Sequence, residues 1–462
     1  MNAIEPEIVA LCKKLIAIPS VSGAGTRQIA EFCAREILAP RGIEARTISS
    51  PKEGPDQVNL VAFVAGARHT VAPLLLNTHL DTVPPGEPAL WTECGGEPFE
   101  ASIKGDRIYG LGAADTKLDF LAKAIALGRR GEGDRDRDVW LVGSFGEEHG
   151  LVGAKELATS NVIPRGAIAM VGEPSQLKVV TAHKGLMAFE LTIHFSPVRT
   201  DKEIEGRKIM FTGKAAHSST PALGENAIAK ALEAIGAQMK SQVISIDGGD
   251  AVNKVPARCE AVVAADTATR FDRSVTETVK RVTHFIPAEA IEALKQFVRA
   301  LRGFADARGP AEADYAAPTL TSNLGVVRTS DDAVVVEFEL RPPPSLALDA
   351  VRDGINSVVA RIADSAPALK PRLVEKRANP GFRSANGSEA LEMAMGALAR
   401  AQLPLETGVK AGCTEAGVYA AAGLYPIVFG PGPSTGVIHA PNEYNLLSDV
   451  EGAIRFYSAL LE

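Results

Sequence analysis

Two kinds of apolar spacing divide the chain. Ile4, Ile8, Leu11 and Leu15 recur at helical intervals until Pro19 ends the run, and residues 26–38 read as a second helix. Short apolar runs at 58–64, 74–76, 139–142, 167–171 and 426–429 predict strands, and helical periodicity appears at 115–130, 152–158, 388–401 and 448–461. Strands interleaved with helices predict an α/β layer around a mixed, mostly parallel sheet. The middle of the chain differs. Residues 186–195, 209–212, 261–265, 320–327 and 334–340 alternate as half-exposed antiparallel strands do, with helices expected at 226–240, 275–301 and 348–363. The predicted organisation is one domain of residues 1–181 and 381–462, interrupted by an α+β domain of residues 182–380 with an antiparallel sheet. The acidic-basic stretch GEGDRDRD at 131–138 reads as a solvated turn.

Composition narrows the function classes. Of the 462 residues, 46% are hydrophobic and 23% charged, enough apolar material for two cores. The net charge of −7 argues against a nucleic-acid partner, which needs a basic stripe to displace counterions from phosphate. Five scattered cysteines with no CxxC spacing point to a reducing compartment. The stretch 416–442 has no charged side chain, but Pro426, Pro431 and Pro433 interrupt it, so no membrane span is expected there. The first residues carry acids where a signal peptide carries bases, and the expected setting is cytoplasmic.

The chemistry gathers after the apolar runs of the α/β part. LLLNTHLDT brings His79 and Asp81, GLGAADTK brings Asp115, and VWLVGSFGEEHG brings Glu147 and Glu148. AIAMVGEPS brings Glu173, and the segment after PIVFGPG brings His439. In open α/β sheets the carboxyl ends of strands border the ligand crevice. Imidazoles and carboxylates are the ligands zinc takes in hydrolytic sites. Two histidines with three carboxylates are too many for one tetrahedral ion and suit a pair sharing one carboxylate. The HxD spacing lets the Asp81 carboxylate accept the second N–H of His79. Glu147 and Glu148, as neighbours on an extended segment, should point apart and do different work.

Seven segments in order then resemble one family. NTHLDTVPPG, GLGAADTK, GSFGEEHGLVGA, VGEPSQL, TAHKGLMAFEL, GKAAHSSTPALGENAI and CTEAGVY…FGPG…HAPNEY are similar to the zinc-dependent amidohydrolases and peptidases that include acetylornithine deacetylase, succinyl-diaminopimelate desuccinylase, aminoacylase and carboxypeptidases. The likeness covers most of residues 1–230 and 320–462, and the CTEA and HSSTP wording is nearest to the deacetylase. It implies a zinc-peptidase-like catalytic domain with an inserted lid or dimerisation domain, and two Zn²⁺ per chain, for which Co²⁺ or Mn²⁺ can substitute. It also implies Asp115 as shared ligand, His79 and Glu173 on one ion, and Glu148 and His439 on the other. By the same likeness Glu147 is the general base, with Asp81 behind His79. His217 supports the oxyanion, and Arg341 holds a substrate carboxylate.

The implied substrate is a small N-acyl amino acid, with a dipeptidase or carboxypeptidase as the alternative. Relatives with short lids form homodimers, and the longer stretch around 275–301 makes a monomer the alternative here. Two departures from the family pattern stand out: Leu118 in place of a small residue, and that long insert. From other classes, a silent binding module would show a lost ligand, and none is lost. A serine hydrolase would need the GxSxG formed by Gly432 to Gly436, with Ser434 as nucleophile, to sit between a strand and a helix.

Overall fold

Four apolar strands, Val139–Ser144, Leu74–His79, Ile168–Gly172 and Tyr425–Phe429, lie side by side and parallel in a computed structural model. The model describes residues 4–67, 71–129, 136–238, 242–265, 275–307, 309 and 311–462. Such strands are apolar without alternation because both faces are covered. Leu74, Leu76, Ile168 and Met170 pack under helices Lys117–Gly128, Glu389–Arg400 and Leu447–Leu460. Leu75, Ala169, Val171 and Val428 pack on the other face with Val152–Thr159 and Ala416–Ala421. Gly54–Val64 and Ala45–Ser50 extend one side of this nine-stranded sheet, both antiparallel to their inner neighbours. Val179–His183, Phe382–Arg383 and Thr407–Lys410 complete the other.

The sheet belongs to a unit of Met1–His183 and Phe382–Glu462, and Lys184–Gly381 forms a second unit. The first unit leaves and resumes at paired residues, since His183 lies opposite Phe382 in antiparallel register. The second unit is built on an eight-stranded sheet whose pairings are all antiparallel. Helices Ala227–Gln238, Ala288–Ala307 and Leu348–Ser365 accompany it. Its core stacks Phe338 on Phe189, with the edge of Phe297 against the same ring.

The α/β and α+β classes agree with the periodicity, and most predicted elements recur within a few residues. Residues 275–301 do not form one helix. Val275–Phe285 is a strand paired with Val198–Thr212, and Ala288–Ala307 is the helix. VTETVKRVTHF is rich in β-branched residues, which favour a pleated strand, and Pro287 separates the two elements. Asp115 does not follow a strand of the main sheet. It follows Arg107–Tyr109, the middle strand of a small sheet with Ser102–Lys104 and Tyr444–Leu446. Ser434 is followed by turns and not by a helix, so the nucleophile-elbow geometry is missing. Of the turn expected at 131–138, residues 131–135 lie outside the described residues. Among the described residues no helix is long and apolar enough to cross a membrane.

A buried polar network runs beneath the parallel strands. Lys123 Nζ lies 2.7 Å from Asp119 Oδ2 and donates to the Asn77 carbonyl and Thr78 Oγ1. Thr78 and Tyr457 donate their hydroxyls to the two Asp119 oxygens, each at 2.6 Å. Gly172 admits this network, because a Cβ there would lie 1.9 Å from Asp119 Oδ2 and 2.7 Å from Thr78 Oγ1. Gly172→Ala should therefore cost about 1–3 kcal/mol or more in unfolding free energy through overpacking, read by denaturant titration. An unchanged midpoint would show that the network yields freely.

Candidate metal centre

The parallel register sets the carboxyl ends of four strands along one edge of the sheet, where the functional side chains collect. His79 is the last residue of Leu74–His79 and is almost fully buried. Its Nδ1 donates to the Asp81 carbonyl oxygen at 3.0 Å, and the Asp81 carboxylate is farther away at 3.6 Å. A carbonyl only accepts, so the neutral ring keeps its proton on Nδ1 and turns the Nε2 lone pair toward Asp115 Oδ1, 3.1 Å away. Two acceptors face each other there, and only a proton or a metal cation reconciles them.

Asp115 repeats the arrangement with its other oxygen. His439 Nε2 lies 3.2 Å from Asp115 Oδ2 and 3.1 Å from Glu148 Oε1. Among the described residues, Asp115, Glu148 and His439 form the group whose ligand atoms all fall within 4.8 Å of one another. His439 takes a left-handed backbone conformation, with φ of 57°, which is unusual for a residue carrying a Cβ. Burial depresses the His79 and His439 imidazoles, but the carboxylates facing them outweigh it. His439 is raised to about 11 and His79 well above its ordinary value. Burial pushes the Asp115 carboxyl up, yet its hydrogen bonds to the two imidazoles hold it far below the usual range. Burial likewise raises Glu148. Imidazole nitrogens and carboxylate oxygens converging in this way are a donor set that fits a divalent cation.

Asp81 lies behind His79 as the HxD spacing suggests, and it does further work that the spacing does not disclose. Its carbonyl holds His79, while its carboxylate accepts the amide N–H of Glu147 at 3.1 Å and of Glu148 at 3.2 Å. These glutamates lie in a turn after Val139–Ser144 and not on an extended segment, so Asp81 fixes the turn that presents them. Glu173 directly follows Ile168–Gly172 and is buried. Its Oε2 accepts from Lys410 Nζ at 2.8 Å.

Three acids and bases close to this set carry no role in the sequence reading. Lys410 is one. Glu443 is buried and accepts the amide N–H groups of Ala114 and Asp115 at 2.9 and 3.1 Å, anchoring the Asp115 backbone. Burial, and then the Asp115 charge, raise its carboxyl to about 8. Glu415 is buried beneath the strand ends, where its Oε2 accepts from Asn77 Nδ2 and Ser144 Oγ, and burial raises it to about 7. CTEA and HAPNEY contain two of them, but a lone acid in a motif does not disclose that it faces inward.

His217 and Arg341 lie in the second unit. His217 Nδ1 accepts the backbone N–H of Ser219 at 3.1 Å and lies 2.7 Å from Ser219 Oγ, which leaves the ring proton on Nε2. Arg341 is buried, with Nε donating to Glu339 at 2.8 Å and Nη2 to Ser218 Oγ at 3.4 Å. Within that unit the arginine therefore braces the His217 loop.

Comparison with known proteins follows the same lines. A family model described as Peptidase family M20/M25/M40 matches residues 75–462. Acetylornithine deacetylase of Edwardsiella ictaluri is 30% identical over 284 residues, spanning 56% of this chain and 67% of that one. Aminoacylhistidine dipeptidase of Vibrio alginolyticus has a similar fold, with TM-score 0.68 and 16% identity over 100% of this chain and 97% of that one. The M20 family metallo-carboxypeptidase of Sulfolobus solfataricus gives TM-score 0.63 and 17% identity over 99% of each chain.

Removing the Asp81 carboxylate should loosen the turn that presents Glu147 and Glu148 without unfolding the sheet. If the set holds a divalent metal, Asp81→Ala is expected to weaken its retention about 10–100-fold, as loss of a hydrogen-bond partner around a metal site does. Elemental analysis after dialysis reads the loss, and an unaltered far-UV circular dichroism spectrum separates it from unfolding.

Proposed function

The chain belongs to Peptidase family M20/M25/M40, a family of metal-dependent hydrolases of amide bonds, and on that premise we propose a dinuclear zinc deacylase of N-acyl amino acids. The observation that carries the reading is Asp115, which offers one oxygen to His79 and the other to His439. A carboxylate presented in that way suits a shared ligand. His79 and Glu173 would complete one position, and Glu148 and His439 the other. The same donors accept cobalt or manganese. What such a pair of ions would supply when bound is Lewis acidity toward the scissile carbonyl and a lowered pKa for water.

The chain's own residues divide the remaining work. Glu147, held by its amide on Asp81, would take the proton of the attacking water and return it to the leaving amine. His217, with its proton on Nε2, would donate to the oxyanion of the tetrahedral intermediate. Arg341 would pair with the substrate carboxylate through the guanidinium nitrogens that Glu339 does not take.

The deacylase reading rests on the sequence likeness to acetylornithine deacetylase. The large second unit, with its eight-stranded sheet, favours a dipeptidase or carboxypeptidase as the second reading. A homodimer accords with either. Five free thiols fit a cytoplasmic setting.

A panel of N-acetyl amino acids and dipeptides, assayed with zinc, decides the substrate class. Faster turnover of N-acetyl amino acids supports the deacylase, and dipeptide-only activity transfers the assignment to the second reading. Activity that survives exhaustive chelation would sink both.

The two adjacent glutamates should separate on mutation. Glu147→Ala is expected to retain both metal equivalents and lose about 10²–10⁴-fold in kcat, the usual cost of a general base. Glu148→Ala should lose one equivalent. Metal content and kcat measured on both variants check this, and the reverse pattern would exchange the roles.

A further inference from the structure

Lys410 carries a charge that the hydrolytic reading does not use. It ends strand Thr407–Lys410, which runs parallel to Val179–His183. Its Nζ lies 2.8 Å from Glu173 Oε2, with the lysine side chain 16% exposed and the glutamate 7%. A pair so far removed from water is held firmly, because separating it would strand two charges in a poorly solvated place.

The three candidate carboxylates are not in equivalent surroundings. Asp115 and Glu148 face imidazoles, and among the described residues neither is ion-paired with a lysine or arginine. Glu173 alone meets an ammonium. The Glu148 side also gathers its donors tightly, with Asp115, Glu148 and His439 within 4.8 Å of one another. On the other side, one of the two Glu173 oxygens is already engaged.

We propose that Lys410 is a positioning residue for Glu173, holding Oε2 so that Oε1 is its one donor to a metal, and that its charge makes the ion on the His79–Glu173 side the more easily lost. The inference rests on the dinuclear reading above. Its physical basis is twofold. A fixed cation repels a dication most strongly where little water screens them. A carboxylate that also accepts from an ammonium has less charge to give a metal. Lys410 thereby grades two positions that share Asp115.

Zinc binding to the metal-stripped full chain tests this without reference to activity. The bound equivalents are read by elemental analysis after dialysis against buffers of fixed free zinc. The wild type should fill in two classes separated by about tenfold or more. Lys410→Gln, which removes the charge and keeps a hydrogen-bond donor, should tighten the weaker class by about tenfold and leave the stronger one unchanged. Lys410→Arg should retain two classes like those of the wild type. A wild type with two ions in a single class overturns the inference while leaving the dinuclear reading intact, and this arm needs no variant to fold. Loosening of the weaker class in Lys410→Gln also overturns it. A chain that never holds more than one equivalent overturns the dinuclear reading and this inference together.

Discussion

Asp115 sits where burial makes a bare negative charge costly, and both of its oxygens face ring nitrogens at 3.1 and 3.2 Å. That double engagement constrains everything around it. The Asp81 carbonyl takes the Nδ1 proton of His79, which leaves Nε2 as the nitrogen that can meet Asp115. Behind the aspartate, Glu443 gathers the two amide N–H groups of Ala114 and Asp115, so the backbone cannot drift. Asp81 meanwhile fastens the turn of Glu147 and Glu148 to the strand end that bears His79. One carboxylate thus depends on two other acidic residues, Asp81 and Glu443, neither of which bonds to its oxygens.

The strand that delivers His79 is clamped from both faces. Side chains alternate along it, so Asn77 falls on the face of Leu75 and Thr78 on the face of Leu74 and Leu76. On the first face Asn77 meets Glu415, at the start of helix Ala416–Ala421. On the second, Thr78 meets Asp119, within helix Lys117–Gly128. A buried acid on each side replaces apolar packing just below the site. Such groups contribute little net stability compared with a hydrophobic pair, but they hold the strand end in one geometry.

Much of this was legible in the sequence wherever local pattern and burial coincide. The four parallel strands contain short apolar runs, and the ligand-type residues other than Asp115 end or follow them in the chain. The errors have physical causes. Residues 275–301 mix β-branched alternation with a helical tail, and a single period cannot represent both. Strands such as Val179–His183 and Thr407–Lys410 are short and acquire strand character from their neighbours in the sheet. The HxD spacing correctly links Asp81 to His79, but the backbone carbonyl is the closer acceptor, which side-chain pattern alone cannot express. Lys410, Glu415 and Glu443 were hidden for a related reason. An inward-facing charge is recognised only by its partner, and those partners lie far away along the chain, as Asn77 does from Glu415.

The order of strands also bears on how the chain folds as it is made. Tyr425–Phe429 lies between Ile168–Gly172 and Val179–His183, yet all of Lys184–Gly381 is synthesised before it. The inserted unit, whose strands pair only among themselves, can complete its sheet while the first remains open. Until the late strand arrives, the edge of Ile168–Gly172 exposes unpaired backbone groups to any passing strand. A nascent chain stalled before residue 425 would therefore combine a finished insert with an adhesive, half-built sheet.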